Sequence, residues 1–528
     1  MIFKVLFLFT FLFNILYFTT IAQSPEYVEG YVYADLQQNG NRSLGDPGIP
    51  GVMVSNQYEV VITDENGYFM LPAREEMIVF IAKPAGYKYQ MDHLNIPRFY
   101  YIHRPDGSPK LNYAGLDPTG PMPEMLNFGL IPAEEKETFS AIVFGDPQTL
   151  NDQQLSWFRD AFAGEFSREN ADIILALGDI MYDNLSLYQR YNEIMSIAGK
   201  PVVNVFGNHD LNFDAESNRY ARETFKSHYG PTYFSFEEGD VHFIVIDNID
   251  YLGYNEQGRP GYIGNIGEAQ LAWLKNNLQW VDKDKLIVIL GHIPLYAPGR
   301  DDNPTLRTGD REKLFALLED FDNVLFLGGH VHSISHSFLG SEFGRNNSNP
   351  IHQILVAAAS GSWWGGPTDK NGIPTATQRD GSPKGYHLFT FRGNTYSEQL
   401  KPSGLDAGYQ IRIESPIGNI SPESLENIQI RANVFNSSKY SEVIYRLNDG
   451  EWTPMVRDEL SFSGFFKEHL DKHQEHYSSW IAPMRTSNIW VAPLQSTLPK
   501  GVHRIDVKTT DMYGQEFNQT KVLEVKGD

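Results

Sequence analysis

The 528-residue sequence contains no cysteine. That absence removes disulfides, thiolate metal sites, cysteine nucleophiles and lipid attachment at an N-terminal cysteine. Positive charge is also scarce: 43 Lys and Arg stand against 66 Asp and Glu, for a formal charge of −23. With no basic face in evidence, nucleic-acid backbone is excluded as a partner. An anionic ligand would have to be drawn in by a local positive centre. Long apolar runs are missing in all but one place. Residues 1–22, MIFKVLFLFTFLFNILYFTTIA, carry one lysine, an apolar stretch and a small-residue end at Thr20 and Ala22. This is the pattern of a secretory signal peptide, with an uncleaved anchor as the alternative. The expectation is an exported protein of the bacterial periplasm or cell surface, with no membrane span once the signal is removed.

What is present is ordinary globular material, 41% hydrophobic and 21% charged, in a chain long enough for about two to four domains. Three zones follow the signal peptide. Residues 24–134 hold short alternating segments (VEGYVYADL, GVMVSNQ, EEMIVFIAKP) and turn signals such as DENG, the pattern of a small all-β sandwich. Within it Asp35, Asn39, Asn41 and Asp46 offer oxygen ligands for calcium, although Asp and Asn also crowd loops for turn reasons. Residues 138–395 alternate apolar strands with helical segments, an α/β signature. Here DQQLSWFRDAFAGEF, EAQLAWLKNNLQWV and DREKLFALLEDF read as helices. YFSFEEGDVHFIVIDN reads as a hairpin about a Glu-Gly-Asp turn, so the sheets are expected to be mixed. Residues 402–528 return to β-type segments, a second sandwich without the residue types of a catalytic centre.

In the central zone five short apolar strands each run directly into a polar tip. SAIVF leads to GDPQ, DIILAL to GD, PVVNVF to GNHD, KLIVIL to GH, and NVLFL to GGHVH. Ligands of open α/β sheets bind beyond the carboxyl ends of the strands, so these tips can converge although they span Asp146 to His332. Asp146, Gln148, Asp179, Asn208, His292, His330 and His332 then form an oxygen-and-nitrogen donor set without sulfur, suited to Mn, Fe or Zn. Seven donors exceed the needs of one ion and fit two that share a carboxylate. Two divalent ions against two carboxylates make the local cationic centre that an otherwise acidic chain needs to hold phosphate.

The ordered series GDPQ, GD, GNHD, GH and GGHVH resembles the motifs of the calcineurin-like metallophosphoesterase superfamily, over roughly the central half of the chain. The flanking zones look like the N- and C-terminal domains of a bacterial secreted branch of it. The resemblance implies an α/β fold with a central two-sheet αββα sandwich between two all-β domains. It also implies one metal on Asp146, Gln148, Asp179 and His332, and a second on Asp179, Asn208, His292 and His330, with Asp179 bridging. A phosphate ester would be hydrolysed by attack of a metal-activated hydroxide, with His209 assisting the leaving group. Two departures stand out: many members have histidine where Gln148 stands, and the Arg-Gly that follows the second motif in phosphoprotein phosphatases is replaced here by IMYDN.

Asp183 is a candidate to orient His209, with a plain loop carboxylate as the alternative. Trp363 and Trp364, in a glycine-flanked loop, either cap the pocket and touch the organic part of a substrate or cover a sheet edge. Tyr182 and Asn184 are further pocket candidates. The expected substrate is a phosphorylated small molecule or envelope component. Three functions stay open: a phosphoesterase, a phosphodiesterase or pyrophosphatase acting on nucleotides, lipids or glycans, and a non-catalytic glycan-binding or adhesion protein.

Overall fold

The computed structural model describes residues 26–494 and 497–526; the signal-peptide reading of residues 1–22 lies outside them. Among the described residues no helix is long and apolar enough to cross a membrane. The centre of the molecule is a pair of facing mixed sheets. The first runs in the order Val202–Asn204, Ile173–Ala176, Thr138–Phe144, Gly385–Arg392, Thr395–Pro402. Its first three strands are parallel, and the last two add an antiparallel hairpin. The second sheet has four parallel strands, Val241–Val245, Leu286–Leu290, Val324–Gly328 and Ile351–Leu355. Antiparallel strands Phe234–Glu238 and Ser335–Leu339 edge it, and the hairpin expected around the Glu-Gly-Asp turn closes there, with Glu238 opposite Val241.

The apolar runs that lead into the tips are unbroken because both faces of these strands are covered. Along Thr138–Phe144, Ala141 and Val143 point into the core between the sheets, with Phe243, Val288 and Phe326. The alternate residues Ile142 and Phe144 point to the outer layer, with Phe158, Phe162 and Phe166. Those three phenylalanines recur every four residues along Asp152–Arg168, a helix capped by the Asn151 side chain and widened by one π turn at Arg159–Ala163. All three are fully buried, each contributing about 1.5–3 kcal/mol of burial. Phe166 stacks on Phe144 with centroids 5.2 Å apart.

The flanking modules are packed onto this centre. In the N-terminal sandwich, a sheet containing Tyr27–Ala34 faces one containing Met77–Ala82. Its Phe80 meets Trp273 of the helix Glu268–Leu278 at 6.1 Å. The C-terminal module has its own core, including Ile430, Val443, Trp490 and Ile505. Between its strands Ser461–Phe462 and Arg485–Thr486 it also carries the helix Gly464–Lys472 and a loop that reaches back to the central sheets.

Candidate metal centre

All five polar tips lie at the carboxyl ends of parallel strands, three in the first sheet and two in the second, so the two sheets deliver their ends to one edge. Direct bonds cross between them. The backbone N–H of His330 donates to both carboxylate oxygens of Asp146, at 3.1 and 3.0 Å, and His292 Nδ1 donates to the Leu177 carbonyl at 2.8 Å. The chain turns sharply at three of the five tips: Asp146, Gln148, Asp179, His330 and His332 all have φ between 41° and 73°. Asp183, Trp363 and Trp364 share this left-handed backbone, so eight of the thirteen such non-glycine residues described surround one site. Each costs on the order of 1 kcal/mol, and such strain collects where geometry serves function.

The three imidazoles are held in one pattern. His292 Nδ1 donates to the Leu177 carbonyl at 2.8 Å, His330 Nε2 to the Thr305 carbonyl at 2.8 Å, and His332 Nδ1 to the Gly361 carbonyl. Each ring thus spends one nitrogen on the backbone and presents the other, the arrangement that orients metal-ligating histidines. The presented atoms fall into two groups that share Asp179. In one, His292 Nε2 lies 3.2 Å from Asp179 Oδ2, 3.1 Å from Asn208 Oδ1 and 3.2 Å from His330 Nδ1. In the other, His332 Nε2 lies 3.5 Å from Asp146 Oδ1. Gln148 Nε2 donates to Asp179 Oδ2 at 3.1 Å, which leaves Gln148 Oε1 for another partner.

Does this donor set fit divalent ions? Gln148 Oε1 and His332 Nε2 are buried with no hydrogen-bond partner, an arrangement that is costly for protein alone. Three acceptor-type atoms, Asp179 Oδ2, Asn208 Oδ1 and His330 Nδ1, meet around His292 Nε2 and need a positive centre among them. With protein atoms only, that centre is a proton on His292. Burial opposes the proton, but Asp179 and Asp146 raise the imidazole to about 9. Burial, with Asp179 beside it, pushes Asp146 up to about 7 against the pull of His292. Asp179 is held below the usual carboxylate range because His292 and His209 outweigh its burial. His330, through burial and the nearby His292, falls to about 3, and His332, chiefly through burial, falls to about 3 as well. Both are therefore neutral, the form that ligates. The residues fit a pair of divalent ions.

His209 stands beside this cluster. Its backbone N–H donates to Asp179 Oδ1 at 2.8 Å, its Nδ1 lies 2.6 Å from Asp183 Oδ1, and Tyr182 stacks on its ring at 4.4 Å. Burial works against the imidazolium, yet Asp179 and Asp183 raise its pKa above the ordinary histidine value. Asn184 bridges the first two loops, donating to the Leu150 carbonyl at 3.3 Å and accepting from Ser186 Oγ at 2.7 Å.

The two tryptophans diverge. Trp363 stacks on the His332 ring at 3.7 Å. Trp364 is 4% exposed and donates from Nε1 to the Pro147 carbonyl at 3.0 Å, so it braces the first motif from behind. Asp210, the last letter of GNHD, was not among the residues singled out from sequence. It is fully buried and accepts from the backbone N–H of Gly207 (3.0 Å), Ile180 (3.1 Å) and Met181 (3.2 Å) and from Tyr188 Oη (2.8 Å), tying the second and third tips together. In the N-terminal loop, the carboxylate oxygens of Asp35 and Asp46 accept from the backbone of Asn39, Gly40, Leu36 and Ser43, the turn bonds expected of Asp in such a loop.

The family profile "Calcineurin-like phosphoesterase" matches residues 139–333, and the profiles for the N and C terminals of the same phosphoesterases match 36–114 and 354–517. The chain belongs to the calcineurin-like phosphoesterases. A "probable glycerophosphodiester phosphodiesterase GpdQ" of Arcobacter nitrofigilis is 27% identical over 190 residues, 35% of this phosphoesterase chain. The match spans 65% of that relative's length, just under two thirds. Among solved structures, a dimetal phosphatase of Danio rerio aligns at 15% identity and TM-score 0.35, over 50% of this chain and 96% of its own. A purple acid phosphatase of yellow lupin, Lupinus luteus, aligns at 14% identity and TM-score 0.37, over 67% of each chain.

Proposed function

We propose that this chain is an exported phosphoric ester hydrolase working with two divalent transition ions, Mn, Fe or Zn. The observation that carries the proposal is the pair of buried, unpartnered donor atoms, Gln148 Oε1 and His332 Nε2, within a set of imidazoles whose other nitrogens are all pinned to backbone carbonyls. Asp146, Gln148, Asp179 and His332 would hold one ion, and Asp179, Asn208, His292 and His330 the other. When bound, such ions acidify water and neutralise phosphoryl charge. The chain's own contribution is placement and a proton. His209, kept protonated by Asp183 and Asp179, offers Nε2 to the departing alcohol oxygen, and Tyr182 and the Asp183 bond fix the ring so that the proton points one way.

The substrate is a phosphorylated small molecule or envelope component. A phosphodiesterase reading within the same chemistry is favoured by the name of the Arcobacter relative. The non-catalytic binding reading gives no reason for the orphaned donors. The test is hydrolysis of matched chromogenic mono- and diesters by metal-stripped protein resupplied with Mn, Fe, Zn or Mg, with Asp179→Asn as control. Metal-dependent turnover lost in the control is expected, and the preferred ester separates the two enzyme readings. No turnover together with no stoichiometric metal would overturn the proposal.

A further inference from the structure

The C-terminal module touches the metal centre through the loop that follows its helix Gly464–Lys472, and this loop is tied to the central domain on both sides of Trp480. Ahead of Trp480, the His476 carbonyl accepts from Gly366 N–H at 3.0 Å. Tyr477 packs so closely on the same segment that a Cβ on Gly365 would lie 2.7 Å from its ring. Beyond Trp480, Ile481 is buried with Tyr477 and Phe466, and Trp363 packs against all three. The Ala482 carbonyl accepts from Arg379 Nε at 3.0 Å, and Met484 N–H donates to the Arg379 carbonyl at 2.9 Å. Arg379 in turn donates its backbone N–H to the His332 carbonyl at 3.1 Å. The loop is thus bonded into the scaffold of a candidate ligand.

Within this fixed frame one large ring is left open. Tyr477 and Ile481 are 8% and 7% exposed, whereas Trp480 between them is 52% exposed, and its indole N–H makes no hydrogen bond among the described residues. Trp480 stands edge-on to Trp363 at 4.4 Å, and Trp363 stacks on the His332 ring at 3.7 Å. A single ring therefore separates an open indole from an imidazole of the centre. Two further rings stand beside the other imidazoles. Tyr182 stacks on His209 at 4.4 Å, and Tyr262, from the hairpin Ile249–Tyr254 and Pro260–Gly264, lies edge-on to His330 at 6.2 Å. A residue that served only to brace Trp363 would have no use for a half-open indole. Covering that surface with a second ring removes apolar area from water and adds the mutual preference of aromatic faces and edges. Because the loop is already anchored on both sides, little freedom is lost when it is covered.

We propose that Trp480, supplied by the C-terminal module, is a specificity-determining residue of this centre, and that the ligand carries an apolar ring beside its phosphoryl group, the phosphoryl at the metals and the ring against Trp480. As a statement about substrate this rests on the phosphoesterase reading; as a statement about binding it can be tested apart from it.

The test is calorimetric titration of the Mn-loaded full chain with methylphosphonate and with phenylphosphonate. The phenyl ligand should bind about three- to tenfold tighter. Trp480→Ala should remove most of that preference and leave methylphosphonate affinity unchanged, while Trp480→Phe keeps part of it. If Trp480→Ala unsettles the loop, seen as a lowered urea midpoint, Trp480→Gln, which fills part of the volume without a ring, decides. The proposal is overturned if phenylphosphonate binds no tighter than methylphosphonate, if neither binds, or if the variant without a ring keeps the ratio between them, as it would if Trp480 only held Trp363 on His332. Turnover of nitrophenyl mono- and diesters by the same preparation tests the hydrolase reading separately. A ring preference lost in Trp480→Ala, in a protein without turnover, would sink that reading and leave the ring site standing.

Discussion

Replacing Gly207 with alanine should open the metal centre without changing a ligand. Gly207 has φ −114° and ψ 167°, ordinary extended backbone, so the substitution brings no conformational strain. It brings overlap instead. A Cβ on Gly207 falls 1.9 Å from the Asp179 backbone nitrogen, 2.4 Å from Asp179 Oδ1 and 2.7 Å from its Cα. Non-bonded carbon and nitrogen rest at about 3.5 Å, so the tips of two neighbouring strands must part by about 1.5 Å. Asp179 is the donor common to both groups, and catalytic constellations tolerate displacements of only about 0.5 Å. The expected cost is about 1–3 kcal/mol of stability from overpacking. Metal affinity should fall by at least about 10–100-fold, the loss typical when a ligand's support is disturbed. The assay is metal content after equilibrium dialysis at fixed free Mn, with urea unfolding alongside. Gly258→Ala is the control: its φ is +70° with nothing within 4 Å of a Cβ, so it carries about 1–2 kcal/mol of backbone strain and no change in metal content. Wild-type stoichiometry in Gly207→Ala would refute the reasoning.

Three further outcomes are expected. Asp183→Asn removes a group that raises His209, so the protonated imidazole is lost at lower pH. The alkaline limb of kcat/KM should move down for alkyl esters and stay put for nitrophenyl esters, whose leaving group needs no proton, and a pH profile on both reads this. Glu398→Ala strands the His387 Nδ1–H, 2.8 Å from Glu398 with both side chains fully buried, while His387 Nε2 accepts from Ala357 N–H, and should cost about 1–3 kcal/mol in urea unfolding at pH 7. Glu398 is held below the ordinary carboxylate range, His387 and His336 outweighing its burial. The wild-type advantage is therefore present above that range and shrinks as pH falls through it. Chelation should lower the thermal midpoint, and Mn at about 100 times its Kd should restore about 2.7 kcal/mol, read by calorimetry.

The tips were legible because a strand buried on both faces is written as an unbroken apolar run, and the first polar letter after it marks the edge where ligands gather. PVVNVF-GNHD and NVLFL-GGHVH show this directly. What escaped was written in other ways. Asp210 has no run of its own and acts by accepting backbone N–H groups from two segments and the Tyr188 hydroxyl from a third, a role with no spacing signature. The helix Gly464–Lys472 is polar on most of its surface, with Phe466 its one buried residue, so periodicity did not announce it. Trp480 reaches Trp363 only because the C-terminal module folds back onto that loop, a long-range contact that no local pattern encodes. Trp363 and Trp364, adjacent in sequence, part because left-handed backbone at both positions sends one ring to His332 and the other behind Pro147.

The strand Gly385–Arg392 lies directly beside Thr138–Phe144, at the centre of the first sheet, although it follows the last metal-binding motif by more than fifty residues of chain. A ribosome has therefore released every candidate ligand before it has made the strand that completes the sheet carrying Asp146. At ordinary elongation rates of about 5–20 residues per second the gap lasts several seconds. A chain truncated short of residue 385 would therefore carry all seven candidate donors and lack the strand that pairs along Thr138–Phe144, the strand leading into Asp146.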